Sequence, residues 1–520
     1  MKVVTVEQMK ELEAATESRG TSTDTLMQNA GLAVAQRARS LLGEMKGEHV
    51  CVLIGPGNNG GDGLVAAQHL NDWGARIHIF LCTPRPEGDP LLEVLVDLAV
   101  DINHVSGESD NDALKRSLGS ATLVVDAVLG TGRSRTLEGT IRVGLEMVQA
   151  AKKRRSELLI LSVDVPSGLD ADTGACDSAT PWADLTVSLG FPKVGHFYFP
   201  GAAKVGRLEI AEIGIPSDLA ADIPLDVASP AYVRSILPPR YLNANKGTFG
   251  RVMVVAGSAN YIGAAFFACA GAVRTGAGLV TLAAPKSIVP LIATQLPEVT
   301  FVPLEEAKWG VSRGVDGAKQ VHQALTTYDT LLVGCGMGQE AHTSEMVRHL
   351  LTSMPSSLTP RIVVDADGLN ILAKAPNWWQ RIHENAVITP HPGEMRRLVD
   401  TSLEAVQTDR LKVARVAAAT WRKTVLLKGA YSIIVAPAGQ AVINPFANPA
   451  LATAGTGDVL SGIVAGLLAQ GLSPFHAATA AAYVHGAAGE IVRSELGDAG
   501  AAASDLLLAI PKAIKDLKTA

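Results

Sequence analysis

Three segments in the first half of the sequence combine glycine and polar residues in patterns that suit ligand binding. Positions 55–63 read Gly-Pro-Gly-Asn-Asn-Gly-Gly-Asp-Gly, and Asp126 and Ser167 lie at the ends of two further apolar segments. Glycines let the backbone turn sharply and approach a ligand, while amides at a helix N-terminus attract an anion. Asn59, Asp126 and Ser167 together offer an amide oxygen, a carboxylate and a hydroxyl, which suit a hard cation. Each of them taken alone fits equally well as a loop cap.

The same glycine run contains the pattern G-x-G-x-x-G, which is typical of dinucleotide-binding dehydrogenases. That interpretation requires an acidic residue near the end of the next strand, where it would hold the ribose hydroxyls. The next apolar segment ends Phe80-Leu81-Cys82-Thr83 instead. An ordinary hydride-transfer site is therefore disfavoured.

The most specific motif lies near the C-terminus, where positions 453–462 read Thr-Ala-Gly-Thr-Gly-Asp-Val-Leu-Ser-Gly and lead into an apolar helix. Its glycines would direct successive backbone amides at a phosphate, at the positive end of the helix dipole. Asp458 would then lie at the rim and take a proton from a hydroxyl that attacks a phosphoryl group. The alternative is that Asp458 only caps the helix. The sequence has no GxxxxGK[ST] motif, which makes a P-loop enzyme an unsuitable interpretation.

The elements that must position these residues follow an α/β pattern. Apolar runs predict strands at 49–55, 76–82, 121–126 and 157–164, with helices at 64–73, 91–100 and 137–151 between them. Such alternation is typical of a Rossmann-like doubly wound domain, which we expect to span 1–220. Prolines gather in 221–240, which predicts a linker. A second α/β domain is expected at 241–520, with strands at 251–256, 331–334, 361–365 and 386–389.

The composition narrows the classes of partner. The chain has 520 residues, 45 lysines and arginines, and 51 acidic residues, for a formal charge of −6, so no global basic field favours nucleic acid or an anionic membrane. The most apolar stretch, 459–469, is about half the length that a membrane span needs and predicts a buried helix. Five scattered cysteines without CxxC spacing, and an N-terminus without an apolar signal segment, predict a cytoplasmic protein.

The first domain resembles the NAD(P)H-hydrate epimerase family. The residues that carry the resemblance are 57–63, 126–132 and Asp164-Val165-Pro166-Ser167-Gly168. The resemblance implies that the hydrated dinucleotide NADHX or NADPHX binds to Asn58, Asn59, Gly60, Gly61, Asp62, Gly130, Thr131, Gly132, Arg133, Ser134, Arg135, Thr136 and Asp164. It also implies that Asn59, Asp126 and Ser167 bind potassium. Exchange of the R and S forms requires the C6 stereocentre to open or ionise, and Asp164 is the carboxylate that we expect to manage the proton, although it could merely cap the loop before Pro166.

The second domain resembles the ribokinase-like superfamily, and within it the NAD(P)H-hydrate dehydratase family. The matching segments are 245–250, 257–258, 365–370, 389–394, 428–430 and 448–462. The resemblance implies that the nucleotide contacts Lys428, Gly429, Ala430, Tyr431, Ser432, Gly455, Thr456 and Gly457, and that the hydrated substrate contacts Ala264, Gly336, His391 and the catalytic Asp458. His391 could instead be an ordinary hydrogen-bonding loop residue. Mg²⁺ and ADP as phosphoryl donor are implied as well, although the residues alone do not separate ADP from ATP.

Together the two resemblances imply a bifunctional enzyme that repairs both epimers of hydrated NADH and NADPH, and a homo-oligomer. One rival interpretation is a ribokinase-like kinase of a vitamin or sugar, because an anion-binding loop and Asp458 also suit stable phosphorylation of an alcohol. The attached first domain argues against it. The other rival interpretation is a non-catalytic nucleotide sensor. The presence of Asn59, Asp126, Asp164 and Ser167 argues against it.

Overall fold

The computed structural model describes residues 1–106, 111–132 and 136–519, and the chain divides into two compact units, Met1–Ile223 and Pro224–Ala520. In the first unit the described helices are α1 Val6–Ser18, α2 Thr23–Leu42, α3 Asn58–Asp72, α4 Pro90–Asp97, α5 Asp112–Ser120 and α6 Gly139–Arg154. The described strands are β1 His49–Ile54, β2 Arg76–Leu81, β3 Asp101–His104, β4 Leu123–Ala127, β5 Leu159–Val163, β6 Leu185–Leu189 and β7 Arg207–Ala211.

The strands of the first unit form a parallel sheet in the order β3-β2-β1-β4-β5-β6-β7 within the described residues. The strand order reverses between β1 and β4, and ligands of such sheets bind at the carboxyl ends beside this reversal. Strands β1 and β4 are almost wholly buried, since helices cover both faces, which accounts for their continuous apolar sequence. The Rossmann-like prediction for this unit is confirmed.

The second unit begins with a segment that the sequence analysis interpreted as part of a linker. Leu225–Val227 is strand β8, which pairs in parallel with a strand far along the chain, and Pro230–Ile236 is helix α7. Val233 of α7 is fully buried in the core of this unit. The linker expectation fails here because Pro224 precedes a strand and Pro230 occupies the first turn of a helix, two places where proline is tolerated.

The remaining elements of the second unit alternate strands and helices. The described strands are β9 Arg251–Val255, β10 Leu279–Pro285, β11 Thr300–Leu304, β12 Glu306–Lys308, β13 Val311–Ser312, β14 Thr330–Val333, β15 Arg361–Val364, β16 Ala386–Ile388, β17 Thr424–Leu427, β18 Ile433–Val435 and β19 Ala441–Ile443. The described helices are α8 Ile262–Thr275, α9 Val289–Ala293, α10 Gly314–Ala324, α11 Ala341–Thr352, α12 Ala366–Leu372, α13 Pro392–Leu398, α14 Leu403–Thr408, α15 Arg410–Trp421, α16 Thr456–Ala469, α17 Pro474–Leu496 and α18 Ala503–Thr519.

The main sheet of this unit has the order β11-β10-β9-β14-β15-β16-β17-β18-β19-β8. In this order, each strand from β11 through β10, β9, β14, β15 and β16 to β17 is parallel to its neighbour. Strand β18 is antiparallel to both β17 and β19. The strand order reverses between β9 and β14, so the carboxyl ends of these strands are again the expected place for a ligand. The α/β prediction is therefore confirmed in the second unit too.

Helix α16 is the apolar segment that the sequence predicted to be buried, and it lies in the core of the second unit. It packs so closely on α8 that a Cβ on Gly462 would lie 2.2 Å from the carbonyl oxygen of Ala268. Glycine is required at this crossing because any side chain would displace backbone. Among the described helices, none is both long and apolar enough to cross a membrane.

Candidate active sites

The first candidate site begins where β1 leads into α3. A Cβ on Gly55 would lie 1.7 Å from the carbonyl oxygen of Val128, so the chain after β1 can approach the chain after β4 only through glycine. Helix α3 begins at Asn58, directly after this turn, and its residues 59–63 are buried. Arg85 holds the turn from outside by donating to the carbonyl oxygens of Gly55 and Gly57 at 2.9 and 3.2 Å.

Asn59, Asp126 and Ser167 converge on the loop that follows β4. Ser167 donates to the Asp126 carboxylate at 2.5 Å and accepts the Leu129 N–H at 2.9 Å. The Asn59 side chain lies close to this loop, since a Cβ on Gly130 would be 3.2 Å from it. The structure therefore brings together the three residues that the sequence analysis grouped.

The chemistry of this trio fits a cation. Asn59 is 9% exposed, and neither its side-chain oxygen nor its nitrogen has a hydrogen-bond partner within the described chain. Asp126 is buried, and its pKa is raised by burial, although hydrogen bonds from Ser167 and Ser162 oppose the shift. No described lysine or arginine pairs with Asp126. Among the described residues, the Asn59 amide oxygen thus has no hydrogen-bond partner and the buried Asp126 carboxylate has no counter-charge. A bound cation would satisfy both groups.

Asp164 follows β5 and is the most constrained residue of the site. Its φ of +65° lies in the left-handed region, which is strained for a residue other than glycine. The fully buried Lys193 donates to its Oδ1, and the Leu189 N–H donates to the same oxygen at 2.9 Å. His196 donates from Nε2 to the Asp164 carbonyl oxygen at 3.0 Å. Burial lowers the pKa of His196 to about 4, so its ring is neutral. The ring holds the Asp164 backbone through this hydrogen bond.

The other predicted substrate residues of the first unit occupy two segments. Asn58, Gly60, Gly61 and Asp62 lie in the first turns of α3, and Gly130, Thr131, Gly132 and Thr136 lie on the segment between β4 and α6. Thr136 and Gly132 are exposed. Arg133, Ser134 and Arg135, also predicted to bind substrate, lie outside the described residues.

The second candidate site lies at the carboxyl ends of β14, β15, β16 and β17, where α16 begins. Asp365 directly follows β15 and accepts hydrogen bonds from Lys428 Nζ and Ser461 Oγ, both at 2.5 Å. Lys428 directly follows β17, and its Nζ also lies 3.9 Å from Glu394. Although burial lowers the pKa of Lys428, the carboxylates of Asp365 and Glu394 outweigh that effect and raise it. The site therefore holds a permanent ammonium.

Asp458 lies in the first turn of α16, behind the glycine turn. Gly455 precedes the helix with φ +93°, and the first N–H groups of a helix lack intrahelical partners, so they can receive an anion. Lys428 Nζ would be 3.7 Å from a Cβ on Gly457, which places its positive charge beside those amides. Burial raises the pKa of Asp458 to about 7, with the Asp365 carboxylate as the next cause. A carboxyl that titrates near neutrality can exchange protons during catalysis.

The other residues predicted to contact the hydrated substrate lie on two sides of the second site. A Cβ on Gly336, which has φ +60°, would meet Ala264 Cβ at 2.5 Å and Tyr261 Cβ at 2.7 Å, so Ala264 and Gly336 adjoin. His391 caps α13 and accepts the Gly393 N–H at 3.0 Å, while burial lowers its pKa. Its Nε2 is 3.4 Å from Glu394, the carboxyl beside Lys428. His391 is thus joined to the charged network through one residue.

Arg410 supports the loop 428–432, which the sequence predicts to contact the nucleotide. Arg410 donates to the carbonyl oxygens of Ala430, Leu427 and Lys428 at 2.6, 3.3 and 3.3 Å. Gly429 and Tyr431 have φ of +143° and +51°, and Ser432 donates back to the Gly429 carbonyl at 2.8 Å. Arg410 and Ser432 therefore hold the loop, while Gly429 and Ala430 remain exposed.

Sequence reasoning missed Lys193, Arg410 and Ser461 as supporting residues. Lys193 follows Pro192 without a motif, yet it is one of the few lysines that lie wholly inside the fold. Asp365 and Glu394 stood inside segments that carried the resemblance but received no role. A lysine within an otherwise apolar run is the only signal in the sequence that could have marked Lys193.

Comparison with known proteins identifies the families of both units. Residues 23–195 match the family described as YjeF-related protein N-terminus, and residues 252–512 match NAD(P)H-hydrate dehydratase. The bifunctional NAD(P)H-hydrate repair enzyme of Moorella thermoacetica is 40% identical over 95% of this chain and 92% of its own. That of Thermofilum pendens is 38% identical over 100% and 97%.

The second unit is also similar in sequence to a protein of known structure. The ADP/ATP-dependent NAD(P)H-hydrate dehydratase from Bacillus subtilis, co-crystallised with ATP and Mg²⁺, is 32% identical, with a TM-score of 0.49, over 56% of this chain and 98% of that one. The class of protein is thus a fusion of two α/β domains, each with a polar site at its strand ends. The chain belongs to the family of bifunctional NAD(P)H-hydrate repair enzymes.

Proposed function

We propose that the chain repairs hydrated NADH and NADPH with two activities. The second unit dehydrates the S form of the hydrate at the expense of ADP, and the first unit interconverts the R and S forms. The observation that carries the proposal is Asp458, a carboxyl with a pKa of about 7 at the start of a glycine-preceded helix, beside the ammonium of Lys428.

The dehydration follows from a chemical difficulty, because hydroxide is a poor leaving group. Asp458 accepts the proton of the C6 hydroxyl while the oxygen of that hydroxyl attacks the terminal phosphorus of ADP. This attack releases AMP. The amides of Gly455, Thr456 and Gly457, with Lys428, stabilise the negative charge on the transferred phosphoryl group. The phosphate then leaves C6 with its bonding electrons and C5 loses a proton, which forms the C5–C6 double bond of NADH.

Mg²⁺ belongs to this proposal as a partner of the nucleotide. No group of three or more described His, Cys, Asp or Glu side chains forms a metal cage, so the phosphates themselves would supply most ligands. The loop of Lys428, Gly429, Ala430, Tyr431 and Ser432 would hold the nucleotide, and Ala264, Gly336 and His391 would contact the hydrated ring. The ion would neutralise charge on the transferred group.

In the first unit, Asp164 is proposed to move the proton when the C6 centre opens. The first turns of α3 and the segment 130–136 would bind the dinucleotide. Asn59, Asp126 and Ser167 would hold a potassium ion, which the unpartnered Asn59 amide and the uncompensated Asp126 carboxylate support. The ion would supply a fixed positive charge beside the substrate, in a site that is otherwise short of cations.

The decisive experiment for the second unit is product analysis. Purified S hydrate with ADP and Mg²⁺ should yield NADH, AMP and phosphate in equal amounts, and ATP in place of ADP should be less effective. A stable phosphorylated product without NADH would instead indicate a vitamin-type or sugar-type kinase. For the first unit, purified R hydrate should convert to an R and S mixture without nucleotide, as measured by chromatography.

A homo-oligomer and a cytoplasmic location complete the proposal. The five free cysteines, four of them buried, suit a reducing compartment. Analytical ultracentrifugation would test the oligomer, and a single sedimenting species of monomer mass would contradict it.

A further inference from the structure

Within the described residues, the first site contains more carboxyl groups than ammonium groups. Asp164 at the end of β5, Asp62 in α3 and Glu13 in α1 act on one another electrostatically, and Lys193 supplies an ammonium that acts on all three. Asp62 and Asp164 are each 7% exposed, whereas Glu13 is exposed at the rim. Two neighbouring buried carboxylates that share one cation do not both ionise readily, so one of them favours its proton.

The hydrogen bonds show which carboxyl contacts the ammonium. Lys193 Nζ donates to Asp164 Oδ1, to Ser188 Oγ at 3.2 Å and to the Leu189 carbonyl oxygen at 2.9 Å. All of these acceptors belong to Asp164 or to the strand beside it. The Leu189 N–H also donates to Asp164. Donors directed at one oxygen favour a carboxylate, and Asp164 Oδ2 is left for a substrate.

Asp62 has the opposite surroundings. It receives no hydrogen bond from the described chain, and it lies past the first four residues of α3, where the stabilising effect of the helix dipole on an anion has faded. Burial, followed by the charges of Asp164 and Glu13, raises the pKa of Asp62 well above its usual value. His196, which contacts the Asp164 backbone, has a pKa lowered to about 4 by burial, and its ring nitrogens hydrogen-bond to backbone atoms.

We propose that Asp164 and Asp62 form an unequal carboxyl pair for epimerisation, in which Lys193 fixes Asp164 as the base and Asp62 holds the proton that the opening ring requires. This inference rests on the proposed epimerase activity and assigns its acid. Asp164 and Asp62 are the catalytic residues, and Lys193 is a positioning residue that acts through Asp164.

The proton balance of ring opening requires such a pair. Asp164 removes the proton from the C6 hydroxyl, the C6–O bond becomes a carbonyl, and the electrons of the C6–N1 bond move to N1. Asp62 gives its proton to N1, so the open form is a neutral aldehyde. Rotation about the C5–C6 bond presents the other carbonyl face, and closure reverses both proton transfers. No oxidant or further reactant is needed.

The test is a pH–rate profile for conversion of R to S hydrate by the full chain in potassium buffer, with epimers separated by chromatography and the protein-free rate subtracted. The wild-type profile should have an alkaline limb, where Asp62 loses the proton that it would give to N1. Asp62→Asn should lower kcat by about 10²- to 10⁴-fold, leave KM within about threefold, and remove the alkaline limb. Lys193→Gln should lower kcat while leaving KM within about threefold, because Asp164 loses the ammonium that orients it.

Two controls separate chemistry from folding. Dehydration of S hydrate by the second unit should remain at the wild-type rate in every variant, and Asp218→Asn, which removes an exposed carboxylate paired with Arg19, should leave epimerisation unchanged. If Lys193→Gln does not fold, the profile of Asp62→Asn alone decides. A wild-type rate, or an intact alkaline limb, in Asp62→Asn would overturn the assignment. A wild-type chain that dehydrates S hydrate but never converts R hydrate would overturn the proposed epimerase itself.

Discussion

Replacing Asp458 by asparagine should stabilise the second unit while abolishing its dehydratase activity. The carboxyl lies in the first turn of α16, and its pKa is raised to about 7 by burial and by the Asp365 carboxylate. A raised pKa means that the folded state binds the proton more tightly than the unfolded state does. The ionised form therefore weakens the fold, as active-site groups often do.

The size of this penalty follows from the shift. From the usual 3.8 to about 7 is about 3 units, and at 1.36 kcal/mol each the upper limit is about 4 kcal/mol. Because the side chain is only partly shielded from water, we expect about half of this, roughly 2 kcal/mol. The penalty is absent below pH 3.8, grows between pH 4 and 7, and is constant above 7. The Asp458→Asn variant avoids this penalty at every pH, because its side-chain amide does not ionise.

Calorimetry at two pH values provides the measurement. The unfolding transition of the second unit is the one whose melting temperature rises when ADP is added, since a ligand stabilises only the domain that binds it. Without ADP, Asp458→Asn should unfold at a higher temperature than wild type, with a free-energy gain of about 2 kcal/mol at pH 8 and about 0.5 kcal/mol at pH 4.5. Asp498→Asn, a change at an exposed carboxylate, is the matched control. Equal stability of Asp458→Asn and wild type at pH 8, or a gain that grows toward acid, would refute the reasoning.

Three further changes test other parts of the structure. Gly462→Val should lower the stability of the second unit by about 3 kcal/mol, because its Cβ would meet the α8 backbone at 2.2 Å; a normal melting temperature would contradict this packing. Arg410→Ala should weaken ADP binding about tenfold at unchanged kcat, because the loop after β17 loses its support. Titration calorimetry would compare it with the exposed control Arg422→Ala, and equal ADP affinities of the two variants would show that the loop needs no support. Asn59→Leu should abolish any stimulation of epimerisation by KCl over NaCl at equal ionic strength, and retained stimulation would place the ion elsewhere.

The sequence was most informative where one short segment contains both the backbone requirement and the chemical group. The turn at Gly55 to Asn59 and the turn at Gly455 to Asp458 each combine glycines, a helix start and a polar side chain, so their place in the fold could be predicted. The predicted strands of both units coincide with observed ones, because buried parallel strands are continuously apolar.

What could not be predicted depends on pairing between distant segments. Strand β8 has only three residues and gains its partner from β19, so nothing local distinguishes it from a linker. Lys193 reaches Asp164, and Arg410 reaches the loop after β17, through packing rather than through a motif. The raised pKa of Asp62 likewise depends on burial and on which charges surround it in the folded unit.

The central claim is that one chain repairs both epimers, and one absorbance measurement tests it most directly. A known mixture of R and S hydrates is incubated with the purified full chain, ADP, Mg²⁺ and potassium, and the NADH absorbance band is followed to completion. The whole mixture should be recovered as NADH, with a fast phase equal to the S fraction and a second phase that Asp164→Ala slows. Recovery that stops at the S fraction after correction for the protein-free rate, or no recovery at all, would contradict this claim.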